Sequence, residues 1–121
     1  MYKYQRFWDR IANRYANTPI KDKTAFNNMM EDIRKHLRES DNVFDFGCGT
    51  GTYSIAIADK VKSIHATDIS EKMLSIARKR ASGHGIDNIN FEQLEISREY
   101  LHQLILRQPA SNSFHQIRTP P

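Results

Sequence analysis

A chain of 121 residues has room for one small domain, and 39% hydrophobic with 26% charged residues is the balance of a globular protein, not of a disordered tail. No apolar run approaches the ~20 residues that span a bilayer, the N-terminus lacks the apolar core of a signal peptide, and Cys48 is a single cysteine, so the expectation is a cytoplasmic protein with no membrane partner. The net charge of +4 is spread, its densest groups being Lys21 with Lys23, Arg34 with Lys35, and the run Arg78, Lys79 and Arg80, which reads as the solvated end of a helix, so no nucleic-acid partner is indicated.

In chain order, the pattern predicts an N-terminal helical segment (1–40), a core (41–96) and an irregular C-terminal tail (97–121). Tyr4, Phe7, Trp8, Ile11 and Tyr15 recur at helical spacing, an apolar stripe opposite Lys3, Gln5, Arg6, Arg10 and Arg14. This helix either packs on the domain it precedes or forms a lid over a ligand site, and Thr18-Pro19 ends it. A second helix is predicted over 24–38, capped by Thr24, with Phe26, Met29, Met30, Ile33 and Leu37 on one face. The apolar run 42–46 reads as a buried strand ending at Gly47, and 53–59 as a helix. A second strand over 62–68 leads to a helix over 70–82, capped by Ser70, burying Met73, Leu74, Ile76 and Ala77, and closed by Gly83 and Gly85. Residues 89–94 alternate as a third strand would. Strand, helix, strand, helix, strand predicts an α/β fold, a partial doubly wound, Rossmann-like parallel sheet with N-terminal helices.

Chemistry concentrates in Asp45-Phe46-Gly47-Cys48-Gly49-Thr50-Gly51. Alternate glycines after a buried strand let the backbone turn sharply and let a ligand approach the main chain. Asp68, 17 residues beyond Gly51 at the end of the next strand, is placed to accept hydrogen bonds from both ribose hydroxyls of an adenosine. Asp45 would repel a pyrophosphate, whereas the sulfonium and amino group of S-adenosylmethionine favour a carboxylate nearby. Thr52 stands where a nicotinamide fingerprint has its third glycine, and no Gly-Lys-Ser or Gly-Lys-Thr follows, which disfavours a NAD-dependent oxidoreductase or a phosphate loop. Cys48 reads as a small filler rather than a nucleophile, and His65 as structural, with no second ligand at metal spacing.

Residues 43–51 resemble the first motif of class I S-adenosylmethionine-dependent methyltransferases, and Ala66-Thr67-Asp68-Ile69-Ser70 with Met73-Leu74 resembles that family's second-strand motif. The resemblance implies an S-adenosylmethionine site made by Asp45, Gly47, Cys48, Gly49 and Gly51, by Asp68 for the ribose, and by Ile69 packed on the adenine. It further implies Glu95 near the adenine amino group, where the family usually has aspartate, and Tyr15 closing on the cofactor, with simple packing the alternative for Tyr15. The implied activity is methyl transfer to an unidentified acceptor, with no general base identifiable. A non-catalytic binding or interaction module is the competing class.

The sequence departs from that family after Ile96. Where a strongly apolar fourth strand is expected, no acidic residue follows Glu99 and the last dozen residues carry no periodicity. The change near Ser97 reads as a truncation or a shifted reading frame. Without a fourth strand, the first would expose an unpaired edge, with marginal stability and self-association through that edge as the expected consequences.

Overall fold

Three parallel strands form the sheet predicted from the sequence, the first two with buried side chains and the third, at one edge, with partly exposed ones. Asn42–Phe46 (β1), Ser63–Asp68 (β2) and Ile89–Gln93 (β3) run parallel. β1 pairs with β2 from Asn42 against Ser63 to Phe46 against Thr67, and β2 with β3 from Ile64 against Ile89 to Asp68 against Gln93. The computed structural model describes residues 5–95 and the backbone of 114–118. The latter is a fourth strand, Phe114–Arg118 (β4), parallel to β1 from Asn42 against Phe114 to Phe46 against Arg118, so the order is β3-β2-β1-β4.

β4 corrects two expectations. It lies within the stretch 97–121 read as an irregular tail, and it occupies the side of β1 expected to be an open edge for self-association. A strand beside the centre of a parallel sheet has no obligatory solvent face, so alternation is not required of it, and pairing with β1 supplies what local propensity does not. The rest of 97–121 lies outside the described residues.

Four helices complete the described architecture: Gln5–Asn17 (α1), Lys23–Lys35 (α2), Thr52–Ile57 (α3), which runs into one 3-10 turn at Ala58–Lys60, and Glu71–Gly83 (α4). The core lies between one face of the sheet and the helices. Val43, Ile64 and Ala66 meet Met30 and Leu37 from the α2 region, Ile57 and Ala58 from α3 and its turn, and Leu74 from α4. Arg34 of α2 fixes α3 from outside, its guanidinium donating to the Ala56 carbonyl at 2.8 Å and gripping Asp59 with two hydrogen bonds of 2.6 and 3.0 Å.

The helix termini hold two further corrections. Asp22, not Thr24, caps α2: its carboxylate accepts from the Ala25 N–H at 2.9 Å, and Thr24 is already the second helical residue. Asp22→Ala is therefore expected to cost about 1 kcal/mol in a urea melt, and Thr24→Ala less than half of that. Ser70 does cap α4, accepting from the Met73 N–H at 3.1 Å. Of the glycines expected to end α4, Gly83 is its last residue without positive φ, while Gly85 turns at φ +69° and lets the Ile86 N–H reach back to the Ala81 carbonyl. Met73, Leu74, Ala77 and Ala81 are buried, and Ile76 only half-buried.

α1 is rotated from its expected orientation. Ala12 is its one fully buried residue, whereas Phe7 is 49% and Tyr15 39% exposed. Packing on α4 decides this. The small Ala12 allows close approach, and Asp9 turns inward to accept from Ser70 Oγ at 2.5 Å and from the Lys72 N–H at 3.3 Å. A satisfied carboxylate thus takes a place that a purely apolar stripe leaves to aromatics. Tyr4 lies outside the described residues.

Candidate functional site

β1 and β2 end side by side, bringing Asp45, the glycine turn and Asp68 to the carboxyl edge of the sheet. Gly47, Gly49 and Gly51 all have positive φ, at +69°, +55° and +83°. At Gly51 the need for glycine is twofold, since a Cβ there would also lie 3.2 Å from the Ala77 Cβ. The turn is tied down at each step: the Cys48 N–H donates to the Thr67 carbonyl at 2.9 Å, the Gly49 N–H to Asp68 Oδ2 at 2.8 Å, and the Gly51 N–H to the Cys48 carbonyl at 3.0 Å.

Asp45 is fully buried. Its Oδ2 accepts from Ser54 Oγ at 2.5 Å, while its Oδ1 has no hydrogen-bond partner. Burial pushes its carboxyl up to about 7, with Asp68 adding to the rise and the Ser54 hydrogen bond opposing it. Asp68 uses Oδ1 to accept from the Ser70 N–H at 3.0 Å, so both of its oxygens hold backbone. Burial also raises Asp68, against the backbone N–H groups of Ser70, Gly49 and Ile69, of which the first two are hydrogen-bonded to it. A carboxylate has about four lone-pair sites, so these two bonds leave Asp68 room for two more donors.

Tyr15 covers the turn. A Cβ on Gly49 would meet its ring at 3.6 Å. Burial, then Tyr53 and Asp68, raise its phenol, with Arg80 opposing them. Ile69 is half-buried beside Asp68 and its carbonyl accepts from Gln93 Nε2 at 3.0 Å. The Leu94 N–H donates to the Asp68 carbonyl at 3.0 Å, which leaves Glu95 exposed one residue further along the same edge. Cys48 faces the core, and burial raises its thiol above the ordinary range, so its part in the turn is to fill space. His65 pairs with Glu92 at 2.9 Å and lies 5.0 Å from the Phe44 ring. Among the described residues no group of three metal-ligating side chains occurs.

Two participants escape sequence reading. Ser54 reaches Asp45 from α3, with no local signal to mark it. Arg80 belongs to the run read as solvated, yet only Lys79 and Arg78 face outward there, Arg78 pairing with Glu71 at 2.6 Å. Arg80 turns to the glycine loop and donates to Thr50 Oγ1 at 2.8 Å, the Thr50 carbonyl at 3.3 Å and Thr52 Oγ1 at 3.4 Å. The signal was its helical register: Met73, Ala77 and Arg80 share one side of α4, and Ala77 packs on Gly51.

The sequence matches the methyltransferase-domain family over residues 37–114, well over half of the chain. The chain belongs to that family. The match continues past Ser97, so the change of composition there does not mark where the likeness ends. Membership also sets aside the nicotinamide-dependent reading, in keeping with Thr52 at the third-glycine position. Relatives include the 23S rRNA (uracil(1939)-C(5))-methyltransferase RlmD of Aliivibrio fischeri, 31% identical over 85 residues, covering 70% of this chain and 18% of that one. The release factor glutamine methyltransferase of Fusobacterium nucleatum is 32% identical over 87 residues, covering 67% of this chain and 25% of that one. The fold matches that of a DhpI–SAH complex with a TM-score of 0.61 at 23% identity, over 74% of this chain and 42% of that one. The chain thus spans a quarter or less of the length of these two curated relatives.

Proposed function

We propose that this methyltransferase-family chain binds S-adenosylmethionine at the carboxyl edge of β1 and β2 and holds it for methyl transfer to a nucleophilic acceptor. The observation that carries this is Asp45 Oδ1, a buried acceptor without a partner beside a glycine turn. Such an atom costs free energy in the free chain and is satisfied by a cationic donor. The amino group of S-adenosylmethionine is such a donor and its sulfonium adds a positive charge that a carboxylate favours, whereas a pyrophosphate is repelled. Asp68, with two lone-pair sites left, would take the ribose hydroxyls. Ile69 would pack on the adenine, Glu95 would accept from its amino group, and Tyr15 would close over the turn at Gly49. Gly47, Gly49 and Gly51 admit the ligand close to the main chain, with Cys48 shaping the turn from the core side.

When bound, the cofactor supplies a methyl group on a positively charged sulfur, open to in-line attack. The contribution of these residues is positioning, which is where such a displacement gains most of its rate. No residue is assigned as a general base. Among the described residues no helix is long and apolar enough to cross a membrane. A cytoplasmic location suits the single, buried free cysteine.

Calorimetric titration with S-adenosylhomocysteine tests the reading. Saturable one-to-one binding is expected. A chain that is folded by circular dichroism yet takes up none, or that prefers reduced nicotinamide dinucleotide, would overturn it.

A further inference from the structure

The outward face of α1 gathers charges that are scattered in the sequence. Arg6, Arg10 and Arg14 stand at i, i+4 and i+8, all exposed, about 6 Å apart along the helix axis. None of the three is in an ion pair with a described residue: the salt bridges there belong to Arg34, His65 and Arg78. The one acid of α1, Asp9, is turned away and held by Ser70 and Lys72. On the neighbouring α4, Glu71 is engaged by Arg78. Phe7 lies within one and two turns of Arg10 and Arg14, 49% exposed, its ring edge-on to Trp8 at 5.2 Å. A row of guanidinium groups that no described acid pairs, beside an exposed aromatic ring, suits phosphates at successive nucleotide steps and one stacked base. The same helix carries Tyr15, which touches the glycine turn, so whatever lies along α1 is led toward the site.

We propose that this face of α1 is a docking surface for single-stranded RNA, the acceptor whose methylation the site serves. The proposal rests on the methyl-transfer reading above and names its substrate class. Charge complementarity decides for RNA over a protein acceptor. The surface is basic and aromatic, its one acid is held against α4 so that no carboxylate is offered to a basic partner, and α1 is a helix, not a free strand edge.

The test is fluorescence anisotropy of a labelled oligouridine with the full chain across a salt series. Arg6→Gln/Arg10→Gln/Arg14→Gln is expected to weaken binding more than tenfold and to flatten the slope of log Kd against log salt by about 2, near 0.7 for each phosphate that is no longer neutralised. Phe7→Ala is expected to weaken binding about fivefold or more with the slope unchanged, and a triple lysine variant to restore the slope. Lys35→Gln/Arg38→Gln/Lys62→Gln removes the same charge near the amino ends of β1 and β2, from residues that are also exposed, and is expected to leave affinity within about twofold. Equal loss in both triple variants, absence of binding at low salt, or preference for anionic vesicles or an acidic peptide over the RNA would overturn the proposal. Titration of each variant with S-adenosylhomocysteine reads the cofactor site separately, so failure there with RNA binding intact counts against the cofactor reading alone.

Discussion

Asp45→Asn is expected to raise the unfolding free energy of the ligand-free chain at pH 8, by up to roughly 4 kcal/mol, and to remove the steepest part of its pH dependence. The cause is the buried carboxyl, raised from the ordinary aspartate value to about 7 by desolvation. Below pH ~4 the group is protonated in both folded and unfolded chains and costs nothing. Between ~4 and 7 the folded chain binds the extra proton, so stability falls as pH rises, and above 7 it levels off. Urea melts of the parent at pH 4, 6 and 8 should show this decline, and the asparagine variant should not. A parent whose stability rises across that window would show that Asp45 is charged and paired in the free chain. A cationic ligand favours the ionised form, so affinity for S-adenosylmethionine should rise with pH up to ~7 in the parent and stay flat in Asp45→Asn.

The second large effect falls on Asp68. Asp68→Ala is expected to weaken S-adenosylhomocysteine binding by about 10- to 100-fold, the 1–3 kcal/mol that hydrogen bonds to a charged group contribute. The loss has two sources. The ribose hydroxyls lose their acceptor, and the Gly49 and Ser70 N–H groups lose the carboxylate that holds the turn against the start of α4. Asp68→Asn separates little from alanine for the second source, because its NH2 must face one of those two N–H donors. Titration with a parallel thermal melt distinguishes the two. An unchanged Kd in a folded variant would remove Asp68 from the ligand's surroundings.

Arg80 and Tyr15 explain why the turn is held without ligand. Arg80 grips Thr50 from α4, Tyr15 lies on Gly49 from α1, and Asp9 ties α1 to the cap of α4 through Ser70. Two helices distant in sequence thus meet around the five residues from Gly47 to Gly51. The family match covers those five residues, but the network around them depends on which faces of α1 and α4 meet.

Much was legible without coordinates wherever the physics is local. Alternating glycines after an apolar run, the two strand-end acids, and Ser70 three residues before Met73 each encode a turn, a strand end or a cap within a few residues. The three parallel strands followed from period and length alone. The motif, the alternation of elements and the family were thus readable from the residues. The tertiary structure alone decided that Asp45 has an unsatisfied oxygen, that Arg80 faces the loop while Arg78 faces solvent, that α1 turns Ala12 and not Phe7 inward, and that Phe114–Arg118 becomes β4. Each depends on a partner far along the chain. Burial, pKa and strand pairing are properties of that partner's approach, which helical register narrows at Arg80 but local sequence does not fix.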